Sequence, residues 1–211
     1  MIFKNENAQK CYKETAVKFV VSLAVLICSA AEIIVEKLIL KGETSWVTAL
    51  AVFCLFISAL YTLANGVIFY SFKKLNKCDK SEIQEIENDM ASGEWYPASR
   101  LYMTDTRFIS FSPDPKWMLY TDIAMMYKYI SKQNGITMSE GIKILYKNGT
   151  DKMLSEISLP ILHLLRSREF DRETEIIMAK AKEKNPEIFM GYDPVVLRTL
   201  KANAKNNGGK K

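Results

Sequence analysis

The chain has 211 residues, 48% apolar and 25% charged, with a formal net charge of +5 and a single histidine, His163. This is globular usage on average, and the lone histidine excludes zinc sites built on histidine pairs and relays that need a second imidazole. Residues 1–80 carry ten lysines against six acids, while residues 81–211 carry nineteen basic and eighteen acidic residues, so no basic stripe marks a nucleic-acid footprint and no nucleic-acid partner is expected.

Residues 1–16 read as a cytoplasmic N-terminal segment, and 17–72 as a helical hairpin that crosses a membrane twice. The first span, 17–40, is continuously apolar over 19–31 and is then interrupted by Glu32, Glu36 and Lys37. The second, 46–72, contains no Asp, Glu, Lys, Arg or His; as a helix it rises about 40 Å against a hydrocarbon core of about 30 Å. Trp46 and Tyr70 stand near its ends, where interfacial aromatics are favoured, and Lys73, Lys74 and Lys77 follow. Residues 41–45 are too few to do anything but return the chain antiparallel.

Orientation follows from the flanking lysines. Lys4, Lys10, Lys13 and Lys18 precede or open the first helix and Lys73, Lys74, Lys77 and Lys80 follow the second, whereas Lys37 and Lys41 near the turn are offset by Glu36 and Glu43. Both termini are therefore expected in the cytoplasm, with the chain a multi-pass protein of the cell membrane. A rival reading takes 19–31 as the apolar core of a secretory signal, with Ser29, Ala30 and Ala31 at a cleavage site; Ile27 before Cys28 speaks against a lipoprotein signal. Cys11, Cys28, Cys54 and Cys78 form no CxxC pair, and no disulfide framework is expected. An intramembrane carboxylate is a functional candidate, but Glu32 lies close enough to the helix end to be hydrated. Asn65 and Gly66 read as packing contacts.

Residues 81–93 form a short linking helix: Ser81 with Gln84 makes a capping box, Ile83, Ile86 and Met90 share a stripe, and Gly93 can end it. The stripe suits the following domain or a partner equally. Over 98–159 the period changes to two, predicting strands at 100–103, 107–111, 117–120, 124–130, 141–146 and 153–157. Asn148-Gly149 is the connection expected to form a type I′ hairpin turn. A helix over 171–184, capped by Asp171 and stopped at Asn185-Pro186, suits the helix dipole; Asp193-Pro194 announces another carrying Val196, Leu197 and Leu200. Residues 206–211 read as a disordered tail after a domain of 98–205.

The expected class is thus a two-helix transmembrane hairpin followed by an α+β domain, a curved antiparallel sheet or partly open barrel with a C-terminal helix. The stretch from Leu101 through Tyr102, Thr104, Asp105 and Arg107 to Ile109 resembles the first hairpin of bacterial pleckstrin-homology-like (PH-like) domains, and Leu119-Tyr120-Thr121-Asp122-Ile123 is similar to the strand entry that follows there. The resemblance covers about 98–184 and implies a domain of the kind found beside two transmembrane helices in small bacterial membrane proteins. Residues 159–168 depart from it as an insertion before the helix. Headgroup binding does not carry over, because only Arg100 and Arg107 occur in the first hairpin.

No glycine-rich phosphate loop, HExxH, GxSxG or cysteine pair is present, so no catalytic, cofactor-binding or metal-binding residues are assigned and no enzyme activity is expected. Asp105, Asp122 and Thr104 read as turn residues and Arg107 as a strand end, and His163 as a space-filling residue beside Leu162 and Leu164. The expected partners are the lipid bilayer and a protein of unspecified identity, with no small-molecule substrate. The function read from these features is a membrane-anchored, non-catalytic binding or scaffolding module. The alternative is an accessory subunit of a transporter or envelope complex that meets its partners through the helices, with Glu32, Asn65 and Gly66 as the contact residues.

Overall fold

The computed structural model of the chain describes residues 3–38, 46–75, 78–158 and 160–208, the side chains of 36–38, 46–48, 64, 73–74, 158, 160–166 and 206–208 excepted. The chain divides into two compact units, Met1–Lys80 and Ser81–Lys211.

The first unit is a pair of helices, α1 (Glu6–Leu38) and α2 (Trp46–Lys74), both long and apolar enough to cross a membrane. Helix α1 begins ahead of its apolar stretch because Asn5 caps it: its Oδ1 accepts the amide N–H of Asn7 at 3.0 Å and of Ala8 at 3.2 Å. Buried positions recur every seven residues, at Ala8, Thr15, Ser22 and Ser29 on α1 and at Ala51, Ser58, Asn65 and Phe72 on α2. Such a repeat keeps one seam facing a neighbouring helix along its length. The pairing is antiparallel, since Tyr12 meets Phe69 and Phe72 at ring separations of 5.6 and 5.7 Å while Phe19 stacks on Phe69 at 5.5 Å. The expected turn at 41–45 lies outside the described residues.

The second unit contains α3 (Lys80–Ser92), β1 (Glu94–Tyr96), β2 (Leu101–Met103), β3 (Arg107–Ser110), β4 (Lys116–Leu119), a 3₁₀ turn (Tyr120–Asp122), β5 (Ile123–Gln133), β6 (Ile136–Tyr146), β7 (Asp151–Ser158), α4 (Pro160–Lys184), β8 (Phe189–Met190) and α5 (Pro194–Gly208). The strands form two four-stranded sheets, ordered β1-β2-β3-β4 and β7-β6-β5-β8, antiparallel except for β8 beside β5. The expected α+β region with antiparallel sheets is present, as two sheets that are not closed into a barrel. The 3₁₀ turn interrupts the ladder between β4 and β5, and the exposed edge of β7 is met by side chains instead of a strand. Ser110 Oγ donates to Leu154 O, and Ser112 Oγ donates to Glu156 O at 2.9 Å and accepts from Glu156 N at 3.4 Å. Serine hydroxyls thus occupy the backbone groups on which a closing strand would pair.

Between the sheets and α4 lies the main core, built on Phe108, Tyr120, Ile123, Met126, Ile142, Ile144, Leu154, Phe170 and Ile177. The opposite face of the second sheet, with Met125, Tyr127 and Leu145, is covered by Leu197 and Leu200 of α5. Helix α3 has its apolar stripe buried at Ile83, Ile86 and Met90. Its polar residues tie it to the first sheet: Trp117 Nε1 donates to Glu82 at 2.9 Å, and Arg107 pairs with Glu85 and, at 2.9 Å, with Asp89. The stripe therefore belongs to the domain.

Helix α4 begins at Pro160, so 160–168, within the segment 159–168 expected as an insertion, supplies its first turns, and Asp171 is an interior residue and not a cap; residue 159 lies outside the described residues. Helix α5 is capped as expected, Asp193 Oδ1 accepting from Val195 at 2.8 Å and Val196 at 3.2 Å, but it runs on through 206–208, because each residue added to a formed helix gains a hydrogen bond without a new nucleation cost. Residues 209–211 lie outside the described residues.

Candidate functional site

The residues singled out in the sequence fall in three places. On the hairpin, Asn65 and Gly66 belong to the α1–α2 seam. Asn65 is buried, with Nδ2 donating to Tyr61 O at 2.7 Å, and at Gly66 an added Cβ would stand 3.2 Å from the Phe19 ring. Glu32 is exposed on α1. Cys11 is buried and Cys28 and Cys54 are exposed, all as free thiols. The side chain of His163 lies outside the described residues.

In the β2–β3 connection, Thr104 closes the turn with its own hydroxyl. Thr104 Oγ1 donates to Arg107 O at 3.0 Å and accepts from Arg107 N at 3.1 Å. Asp105 is held by Lys184 at 2.6 Å, and that hydrogen bond keeps its carboxyl below the usual aspartate range. Tyr120 is buried with its hydroxyl donating to Thr104 O at 2.9 Å; burial, with Asp105 adding, raises its phenol far above the ordinary value. Each of these groups is used to hold the turn against the core.

Asp122 lies elsewhere, in an open cleft of about 460 Å³ lined by Asp122, Tyr146, Lys147, Asn148, Thr150 and Lys152. The backbone forms it: Lys147 N donates to Asp122 O at 2.8 Å, drawing the β6–β7 turn against the 3₁₀ turn. That hairpin is not type I′. Gly149 alone takes a positive φ, 84°, with Gly149 N donating to Tyr146 O at 2.9 Å, a turn over Lys147-Asn148 followed by one left-handed glycine. The type I′ pair is Asn134-Gly135, at φ 51° and 79°, joining β5 to β6.

Within the cleft, Lys152 sits 5.7 Å from the Tyr146 ring centroid and Lys147 pairs with Glu187 at 3.0 Å. Burial, then the nearby Asp122 carboxylate, raises the Tyr146 phenol, which stays a neutral hydrogen-bond donor at physiological pH. Two ammonium groups, a carboxylate, an amide and two hydroxyls suit hydrogen bonding to a polar surface. Of the lining residues, only Asp122 and the Asn148-Gly149 turn carried a sequence signal; Tyr146, Lys147 and Lys152 meet them only once β6 and β7 are paired.

The buried acids elsewhere have structural partners. Glu173 of α4 accepts the N–H groups of Ala98 at 3.1 Å and Ser99 at 2.7 Å. Glu140 is bridged through Lys128 to Asp171; burial alone would depress Lys128, but the two carboxylates outweigh it and hold its ammonium above the usual lysine value. Among the described residues no three His, Cys, Asp or Glu side chains gather as a metal site. Compared with protein-family models and with curated proteins, the chain finds no match.

Proposed function

We propose that this chain is a membrane-anchored, non-catalytic binding module: α1 and α2 form a multi-pass hairpin in the cell membrane with both termini in the cytoplasm, and the second unit is a PH-like domain held at that face to bind a protein partner. The observation that carries the reading is the inverted surface of the first unit. Val17, Val20, Val21, Ile27, Val52, Phe53, Phe56, Leu63 and Val67 are among the exposed side chains, while Thr15, Ser22, Ser29, Ser58 and Asn65 are buried. In water each large apolar side chain left exposed forfeits about 1.5–3 kcal/mol; in lipid it forfeits none of that. The inner polar groups are satisfied within their own helices, as with Thr15 to Cys11 O at 2.9 Å, Ser22 to Phe19 O at 2.9 Å and Ser58 to Leu55 O at 3.1 Å, which is what a bilayer demands.

The PH-like reading is supported by a four-stranded antiparallel run, then three long antiparallel strands, then α4 against them. Two surfaces suit a protein partner. One is the polar cleft, and the other is the outer edge of β5, which β8 covers only at Met125 and Met126. Anchoring would raise the effective concentration of either surface toward membrane-bound partners. The accessory-subunit alternative now rests on Glu32, since Asn65 and Gly66 are used inside the hairpin. Replacing α1 and α2 by an unrelated transmembrane hairpin separates the two readings: partner capture should persist, and its loss would transfer the binding role to the helices.

A further inference from the structure

The type I′ turn at Asn134-Gly135 makes β5 and β6 longer than the sheet that supports them. Pairing runs from Ile123↔Tyr146 to Gln133↔Ile136, whereas among the described residues β7 accompanies β6 as far as Ser139↔Ser158. The outer part is a two-stranded arm, and two-stranded arms in water ordinarily carry polar tips. This one exposes Ile130 (47%), Ile136 (58%) and Met138 (37%), with Ile136 next to the turn itself. From Tyr129 to Ser139 the sequence holds one charge, Lys132, and no acid. Glu140 at the arm's base is buried and bridged by Lys128.

We propose that this arm dips into the lipid headgroup region of the bilayer, with Ile130, Ile136 and Met138 entering the acyl boundary and Lys132 facing anionic headgroups; the inference rests on the membrane reading above. Three observations favour lipid as the occupant. Apolar side chains with a lone cation and no acid match the chemistry of an anionic membrane surface. In the sequence five residues, 75–79, separate α2 from α3, about 20 Å of chain at most, so the membrane reading makes the bilayer a surface within the tether's reach. Within the domain, contacts link the start of α3 to the base of the arm: Glu82 accepts from Trp117 on β4, Lys116 pairs with Ser110, and Ser112 bonds Glu156, the partner of Gly141. The point where the chain enters the domain is thus tied to the base of the arm by a relay of contacts.

The test uses the full chain, with its four cysteines replaced by serine, in liposomes of phosphatidylcholine and phosphatidylglycerol. An environment-sensitive fluorophore is placed at Ile136→Cys, at Asn148→Cys as a water-exposed reference, and at Phe53→Cys as a reference on the outer face of α2. The proposal expects blue-shifted, several-fold brighter emission at position 136 than at 148, quenching at 136 by spin-labelled lipid, and return to the emission of position 148 when Ile130→Glu and Met138→Glu are added. A wet label at 136 with a dry one at 53 would overturn the proposal and leave the membrane reading standing. A dry label at 136 that spin-labelled lipid does not quench would mean a protein covers the arm, and would also overturn it. A wet label at 53 would remove the membrane reading and the proposal together.

Discussion

Gly141 sits where β6 runs against β7 with no room for a side chain: an added Cβ would stand 2.5 Å from Ser155 O and 2.8 Å from Met153 Sδ. One of those neighbours is backbone, so relief requires the strands to part. Gly141→Ala is expected to destabilise the domain by about 1–3 kcal/mol, the usual range for overpacking, read from thermal unfolding of the full chain in detergent. Gly135→Ala meets nothing within 4 Å and faces only its positive φ of 79°, so about 1 kcal/mol is expected there. A loss at Gly141→Ala of only a few tenths of a kcal/mol, below about 1 kcal/mol, would contradict the close strand approach. Asp151 offers a second test. Its hydrogen bond from Lys201 outweighs burial and, with Lys143 adding, lowers its pKa. A depressed carboxylate stabilises fully above its unfolded value, about 3.9, and the gain is lost as pH falls through the folded value. Both side chains are more than a third exposed, so Lys201→Met should cost at most about 1 kcal/mol near neutral pH. In unfolding curves taken across pH, that gap to the parent chain should close in acid; a gap unchanged at low pH would assign the loss to packing of the Lys201 stem.

At the scale of elements, α3 is the piece whose docking the sequence left open, and Ile86, fully buried, is the side chain that tests it. Ile86→Ala should cost about 2–5 kcal/mol if α3 is part of the core, again by thermal unfolding; a change of a few tenths would mean that the helix is a free linker. Six strands, β2 to β7, were readable: β5, β6 and β7 by their length of 11, 11 and 8 residues, and the short β2 by the turn residues 104–106 that follow it. Strands β1 and β8, of three and two residues, are too short to show a period and exist only through their neighbours. The two Asn-Gly pairs that join strands, Asn134-Gly135 and Asn148-Gly149, show how local chemistry can mislead. Both make hairpins, but only Asn134 takes the positive φ of a type I′ turn, since at Asn148 the β6–β7 register leaves room for a further loop residue. The start of α4 was hidden for another reason: Asp171 resembles a cap in sequence, yet its carboxylate is spent on Lys128. The serine contacts from Ser110 and Ser112 to β7 join residues 44 apart in the chain, and no local pattern announces them.

For the whole molecule, the division into an apolar helical pair and a mixed domain was legible because it rests on composition over long windows, where single residues matter little. The cleft was not, since Asp122 and Lys152 come from separate turns and strands. The central claim is the membrane hairpin with both ends in the cytoplasm, supported by the outward apolar faces of α1 and α2 and the lysines on both flanks. Topology reporters test it most directly. A reporter active only in the cytoplasm, fused before Met1 or after Lys211, should be active at both ends, and one inserted within 41–45 should be inactive. An inactive fusion after Lys211, or an active one within 41–45, would contradict the orientation and the two-span hairpin on which the proposed function depends.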